Sequence, residues 1–410
     1  MPETPDLIES LYVHVPFCAQ KCAYCAFFSE ASSGELINRY TDALVREMEL
    51  VAADLKPGTI FFGGGTPSIL NLKQWEKILH TMERLGLLGA EEFTVECNPA
   101  TVSLDKAKLF RSFGINRVSM GVQSLDEALL DRLGRIHSRE MVFKSFDILR
   151  SAGFDNLNID MMFAIPGQTM EIWRATLAEA IALGSEHLSS YEVIYEDDTP
   201  LYAQLQAKEF DADEDLACDM YEALVEAAGE AGLRQYEIAN FARETRLNDG
   251  YRMTIGSGDN LGYIHSSFDI RHSEIPALAC KHNVNYWRGG SFYGLGPSAT
   301  GYVRGVRTKN WSNTQLYCEQ LEKGKRAIES QEELVPLSRA GETAAFGLRM
   351  VAGWPFDDFQ RTTGHDLRRE WAEEMKQLTE RGWGRIAPER FQLTRQGLRF
   401  ADSAAEMFLR

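Results

Sequence analysis

Over its first two hundred residues this chain alternates short apolar runs with amphipathic segments, six times in succession. The runs Leu11–Phe17, Thr59–Phe62, Glu92–Cys97, Arg117–Val122, Leu157–Phe163 and His187–Tyr195 are expected strands. The segments Gly34–Leu55, Leu72–Leu85, Leu104–Phe113, Arg139–Ala152 and Met170–Leu183 are expected helices. In the first helix, Leu36, Tyr40, Ala43, Leu44 and Met48 recur at helical spacing. Strand followed by helix, repeated this way, predicts an α/β fold with a parallel sheet of βαβ units. Six units suit an open sheet or a partial (β/α)6 barrel. In a barrel-type arrangement, chemistry sits where the C-terminal ends of the strands meet the following loops.

A length of 410 residues allows two or three domains. A long helix, Glu214–Glu230, follows the alternating region, and a mixed α+β stretch then runs to about Gly324. Within it, Glu244–Ala279 is turn-rich and reads as an insertion. From about Gln331 the pattern becomes helix, helix and a small hairpin at Gly384–Leu393, which suggests a winged-helix-like tail. The expected units are therefore 1–213, a linking region 214–330 and a C-terminal domain 331–410. The tail carries 12 basic and 13 acidic residues, so its charge balance gives a DNA-binding reading poor support.

The formal net charge of −17 repels nucleic acid and anionic lipid. No apolar run is long enough to span a membrane, and the acidic first ten residues lack the features of a secretory signal. Seven cysteines are unevenly placed, with Cys18, Cys22 and Cys25 inside eight residues and the other four scattered. That distribution suits a metal site in a reducing compartment, not a disulfide framework. A cytoplasmic protein is expected.

Three thiolates in C-x3-C-x2-C spacing, directly after the first strand, suit three irons of a [4Fe–4S] cluster and leave the fourth iron open. The amino and carboxylate groups of S-adenosylmethionine suit that open iron. Reduction of the cluster then cleaves a C–S bond to give a 5′-deoxyadenosyl radical. A structural zinc site is the other reading; it needs a fourth ligand, for which His14 is the candidate. The Gly63-Gly-Gly-Thr-Pro-Ser68 loop closes the second strand, and its glycines let the backbone approach a charged ligand.

The cysteine loop, Tyr12-Val-His-Val-Pro-Phe17, the Gly63–Ser68 loop, Glu96-Cys-Asn-Pro99, Gly121-Val-Gln-Ser124, Arg135-Ile-His137 and Asn158-Ile-Asp160 occur in that order. Together they resemble the radical S-adenosylmethionine (SAM) proteins related to oxygen-independent coproporphyrinogen III oxidase. The resemblance covers almost the whole chain and implies a six-stranded partial radical SAM barrel. It implies that Cys18, Cys22 and Cys25 hold the cluster. It further implies that Gly64, Gly65 and Thr66 cradle the methionine end of SAM. Glu96, Gln123, Arg135 and Asp160 would line the same pocket, with Tyr12 and Tyr24 close by.

Within the family, members that decarboxylate coproporphyrinogen III have a fourth cysteine two residues after the third. This chain has Phe27 there and a short stretch before the first strand, as in the HemW-type haem chaperone branch. His282-Asn-Val-Asn-Tyr-Trp287 is similar to the H-N-x-x-Y-W motif of that branch, which implies haem binding through His282, Tyr286 and Trp287. The implied role is a haem chaperone that passes haem to an acceptor such as a respiratory enzyme. The alternative is the radical decarboxylase of porphyrin biosynthesis. A zinc-stabilised binding module is a third reading. Family members usually have only a short connection where this chain has Glu244–Ala279, which reads as a surface loop or as a cover supplying His265 or His272 to haem.

Overall fold

The structure is a computed structural model that describes residues 7–31, 34–245 and 275–410. The six expected strands form as β1 (Ile8–Val15), β2 (Leu55–Gly64), β3 (Glu92–Cys97), β4 (Arg117–Gln123), β5 (Leu157–Phe163) and β6 (His187–Glu192). They lie side by side in chain order and every neighbouring pair is parallel. The crossovers are α1 (Gly34–Val51), α2 (Leu72–Arg84), α3 (Leu104–Ser112), α4 (Glu127–Arg132) with α5 (Arg139–Ser151), and α6 (Met170–Ala182). Side-chain caps start several of them: Asn71 and Gln74 form a reciprocal capping box at α2, while Ser138 and Thr169 cap α5 and α6.

The central strands alternate, with one face apolar and the other buried but polar. Val95, Val118, Val122, Ile159 and Met161 are inaccessible to solvent and join one continuous core. The opposite face of the same strands holds a buried polar set, Arg117, Ser119, Asn158, His187 and Ser189.

After β6 come α7 (Pro200–Gln206), α8 (Glu214–Glu230), β7 (Arg234–Gln235) and β8 (Asn240–Ala242), which extend the sheet antiparallel beyond β6. A short helix, α9 (Lys281–Trp287), carries the H-N-x-x-Y-W motif, and β9 (Tyr293–Leu295) pairs parallel with β1. Among the described residues the main sheet thus has nine strands, ordered β7-β8-β6-β5-β4-β3-β2-β1-β9. A separate antiparallel sheet, β10 (Thr300–Val303), β11 (Val306–Asn310) and β12 (Ile328–Glu333), flanks α10 (Thr314–Glu322). This region is tied to the barrel by the buried Glu47 of α1. That carboxylate accepts from Tyr317 Oη (2.7 Å), the Gly296 amide (2.8 Å) and Asn310 Nδ2 (2.8 Å).

The tail begins with α11 (Pro336–Gly347) and has its own core around Trp354, Phe359, Trp371, Phe391 and Phe408. β13 (Trp354–Pro355), α12 (Phe356–Thr363), α13 (Leu367–Glu370), α14 (Ala372–Glu380), β14 (Gly384–Ile386), β15 (Arg390–Leu393), α15 (Arg395–Arg399) and α16 (Ala401–Glu406) follow. The strands form a three-stranded antiparallel sheet, so the expected hairpin gains β13.

Some boundaries differ from the sequence reading. The first strand starts at Ile8 and ends before Pro16, which lacks an amide to continue a ladder. The first helix stops at Val51, where a 3₁₀ turn leads into β2, and the last barrel strand stops at Glu192, level with the end of β5. The expected helices over Leu367–Arg381 and Thr394–Glu406 each break, at Trp371 and Phe400, whose backbones leave helical geometry. β12 runs across the expected boundary between 330 and 331, and most of the insertion, His265 and His272 included, lies outside the described residues.

Candidate cofactor site and the motif helix

The C-terminal ends of the barrel strands surround a cavity of about 460 Å³. Cys18, Cys22 and Cys25 line it, together with Tyr24, Gly64, Gly65, Thr66, Glu96, Gln123, Arg135 and Asp160. Tyr12 does not. It sits a layer below, with its hydroxyl 3.0 Å from His14 Nδ1 and its ring beside Phe61 and His282.

The cysteine loop hangs between β1 and α1 and is held mainly by backbone bonds. The Cys18 amide donates to Glu30 O, the Ala23 amide to Leu133 O, and the Leu201 amide to Ala23 O. His14 props it from below, with Nε2 2.9 Å from Phe28 O. With Nδ1 facing Tyr12, this ring has both nitrogens engaged away from the thiols, so the zinc reading loses its candidate fourth ligand. Among the described residues no three His, Cys, Asp or Glu side chains close on a single metal ion. All seven cysteines are free thiols.

The glycine loop is fitted against the cysteine loop's base. Gly64 has φ +104°, and a Cβ there would lie 2.5 Å from the His14 ring. A Cβ on Gly65 would lie 2.7 Å from Phe17 O. Close backbone approach is therefore built into this loop, and Cys18 Sγ lies 3.5 Å from Thr66 Oγ1.

The ionisable lining is polar and buried. Glu96 Oε2 accepts from the Gly64 amide at 3.2 Å. Burial, with the neighbouring Asp160 charge, pushes its pKa from the ordinary 4.5 up to about 8. Asp160 is raised as well, chiefly by burial, while Ser119 and Asn158 donate to its two oxygens at 2.9 and 2.7 Å. Arg135 approaches Cys22 Sγ (3.5 Å) and donates to Gly121 O, yet its buried Nε has no partner among the described residues. Gln123, at the end of β4, is held at φ +69°, a conformation that L residues seldom adopt outside special sites. Three thiols, two buried carboxyl groups and a guanidinium form a donor set that fits an iron–sulfur cluster and a zwitterionic sulfonium nucleotide.

Sequence reasoning missed other lining residues: Asn98, Met162, Tyr191 and Glu192 at strand ends, and an apolar lip of Phe27, Ile136 and Ile194. Phe27 is 70% exposed at that lip. Position was the signal for the polar ones: Asn98 directly follows β3, and Tyr191 and Glu192 are the last two residues of β6.

The motif residues sit at the opposite, N-terminal end of the strands. The Lys281 and His282 amides donate to the Glu92 carboxylate at 2.9 and 3.0 Å. His282 is 1% exposed. Its Nδ1 lies within 3.1 Å of Ser10 Oγ and Thr59 Oγ1, and its Nε2 is 2.6 Å from Tyr286 Oη. Burial, then the Arg117 charge, lowers its pKa to about 3, so the imidazole is neutral at pH 7. Trp287 leaves α9 toward the tail, stacking on Phe346 and lying under the Arg349 guanidinium. The structure thus brings the SAM candidates together, apart from Tyr12, and sets the three haem candidates in one separate cluster.

Residues 12–180 match the radical SAM superfamily model, and residues 335–400 match the HemN C-terminal domain. The heme chaperone HemW of Lactococcus lactis is 31% identical over 402 residues, covering 98% of this chain and 97% of the relative. The chain belongs to the HemW family. The HemW proteins of Bacillus subtilis and Escherichia coli are each 30% identical over practically the full length of both chains. The coproporphyrinogen III oxidase HemN of Escherichia coli, a radical SAM enzyme, has the same fold, with a TM-score of 0.78 over 99% of this chain at 21% identity. The radical SAM fold of the family implies a [4Fe–4S] cluster and SAM, and the Lactococcus, Bacillus and Escherichia relatives are named heme chaperones.

Proposed function

We propose that this HemW-family chain is a haem chaperone that binds a [4Fe–4S] cluster, SAM and haem and delivers haem to an acceptor protein. The observation that carries the reading is the convergence of three cysteine thiols and eight of the expected SAM-pocket residues on one cavity at the strand ends. Cys18, Cys22 and Cys25 hold the cluster. Gly64–Thr66 set the backbone against the methionine end, Arg135 Nε meets its carboxylate, and Glu96 and Asp160 accept from its ammonium or ribose hydroxyls. When bound and reduced, the cluster supplies an electron to the sulfonium.

Haem is assigned to α9. The neutral imidazole of His282 suits iron because no proton competes for it at neutral pH. Its one rival for Nε2 is the Tyr286 hydroxyl, so haem binding displaces that hydroxyl. Trp287 and the half-exposed Phe346 offer apolar surface to the macrocycle. Seven free thiols suit a reducing, cytoplasmic setting, and among the described residues no helix is long and apolar enough to cross a membrane.

The test is anaerobic reconstitution followed by haem titration of the wild type and His282→Ala. A parallel incubation contains coproporphyrinogen III, SAM and reductant. Haem binding that weakens in the variant, without protoporphyrinogen formation, is expected. Protoporphyrinogen formation would overturn the chaperone reading in favour of the oxidase.

A further inference from the structure

A continuous file of buried polar groups runs from Asp160 at the cavity through the barrel interior to α9. The Cys280 amide, at the start of α9, donates to Tyr236 Oη at 3.2 Å. Tyr236 Oη lies 2.9 Å from His187 Nε2, and His187 Nδ1 lies 2.6 Å from Asn158 Oδ1. Asn158 Nδ2 in turn donates to Asp160 Oδ1 at 2.7 Å. His187 is fully buried, and burial with the Arg117 charge keeps its imidazole neutral.

Only one direction of donation satisfies this file. A backbone amide donates and never accepts, and the Asn158 amide nitrogen donates to the carboxylate. The Asn158 carbonyl therefore accepts from His187 Nδ1–H, which leaves Nε2 as acceptor for the Tyr236 hydroxyl proton. Every bond points toward Asp160, and such chains polarise one another in a low-dielectric interior. Tyr236 also fixes the tail, since its carbonyl accepts from the Val351 amide at 3.0 Å, and the adjacent Glu237 pairs with Arg349.

We propose that Asn158, His187 and Tyr236 are positioning residues that couple occupancy of Asp160 to the N-terminal turn of α9, so that SAM in the cavity alters the haem-motif helix. This rests on the functional reading above, in which SAM contacts Asp160. Ligand hydroxyls arriving at the carboxylate share its charge and weaken its hold on Asn158, and the loss passes along the file to the Cys280 amide. Linkage requires the effect to be reciprocal.

The test uses cluster-reconstituted full-length protein, SAM as the probe, equilibrium dialysis for its binding, and amide hydrogen exchange of the Cys280–Trp287 segment. In the wild type, SAM is expected to shift exchange there by about fivefold or more, the lower range of common coupling factors. Tyr236→Phe removes the hydroxyl and abolishes the shift while SAM still binds. His187→Gln, which cannot span Asn158 and Tyr236 together, gives the same loss by an independent cut. Tyr221→Phe, which removes a nearby hydroxyl outside the file, retains the shift. Bound SAM with no shift in the wild type, or an undiminished shift in Tyr236→Phe and His187→Gln, would overturn the coupling. Failure of SAM to bind would instead overturn the functional reading on which it rests.

Discussion

The two ends of the barrel solve opposite problems with similar residue types. At the C-terminal end the thiols, Glu96, Gln123 and Arg135 face a cavity, and one donor, Arg135 Nε, is unmatched among the described residues. At the N-terminal end the polar atoms of His282 are fully engaged within the protein. An open end with unmet donors is prepared for a ligand before it arrives, whereas a closed end must exchange an internal partner for one. The difference separates a pocket that binds by preorganisation from a helix that binds by competition.

The largest expected effect breaks the open end outright. Alanine at Cys18, Cys22 or Cys25 leaves two thiolates, and iron after reconstitution falls from about four atoms per chain to near zero. Iron and sulfide analysis checks this.

Next is the seam that shapes the open end. Gly64→Ala places a Cβ against the His14 ring in a left-handed backbone. It should lower stability by about 2 kcal/mol or more. Denaturant unfolding of the cluster-free protein measures it, and a cost near zero would show that the two loops are not fitted together.

A smaller effect probes the closed end. Tyr286→Phe removes the hydroxyl that occupies His282 Nε2, so haem affinity should rise, by about tenfold if one net hydrogen bond is released. Spectrophotometric titration reads it. A fall in affinity would make Tyr286, not His282, the iron ligand.

The smallest effect is a contrast in pH dependence. Glu96 has a folded pKa raised to about 8, so its contribution to stability is present below about 4.5 and lost as pH rises through 8. His282 is depressed to about 3, so its contribution is present above 6.5 and lost as pH falls toward 3. Melting temperatures between pH 5 and 8 should therefore slope less steeply downward with rising pH in Glu96→Gln than in the wild type. An unchanged slope would place the Glu96 carboxyl outside this balance.

The barrel was legible because each strand is a compact apolar run bounded by turn residues, and β3 and β5 match their expected limits. At the open end the cysteine spacing and the glycine loop were legible in the residues themselves, whereas Glu96, Gln123, Arg135 and Asp160 were named only through the family resemblance. β9 was not legible, because Tyr293-Gly-Leu295 is too short to signal a strand and pairs with β1 only through the folded chain. The α9 helix carries two asparagines, poor helix formers, and its amides are held by Glu92, about 190 residues away in sequence. The buried file to Asp160 was illegible because a polar residue inside an apolar strand does not name its partner. Tyr12 was misplaced for a similar reason: alternation sets its face of the sheet but not its depth along the strand.

The central claim is that the open end holds an iron–sulfur cluster on three thiolates with SAM beside it. The most direct measurement is electron paramagnetic resonance of the anaerobically reconstituted, reduced protein before and after adding SAM. A [4Fe–4S] signal whose shape changes on addition is the predicted result. A protein that stays free of iron and colourless after reconstitution would contradict the account.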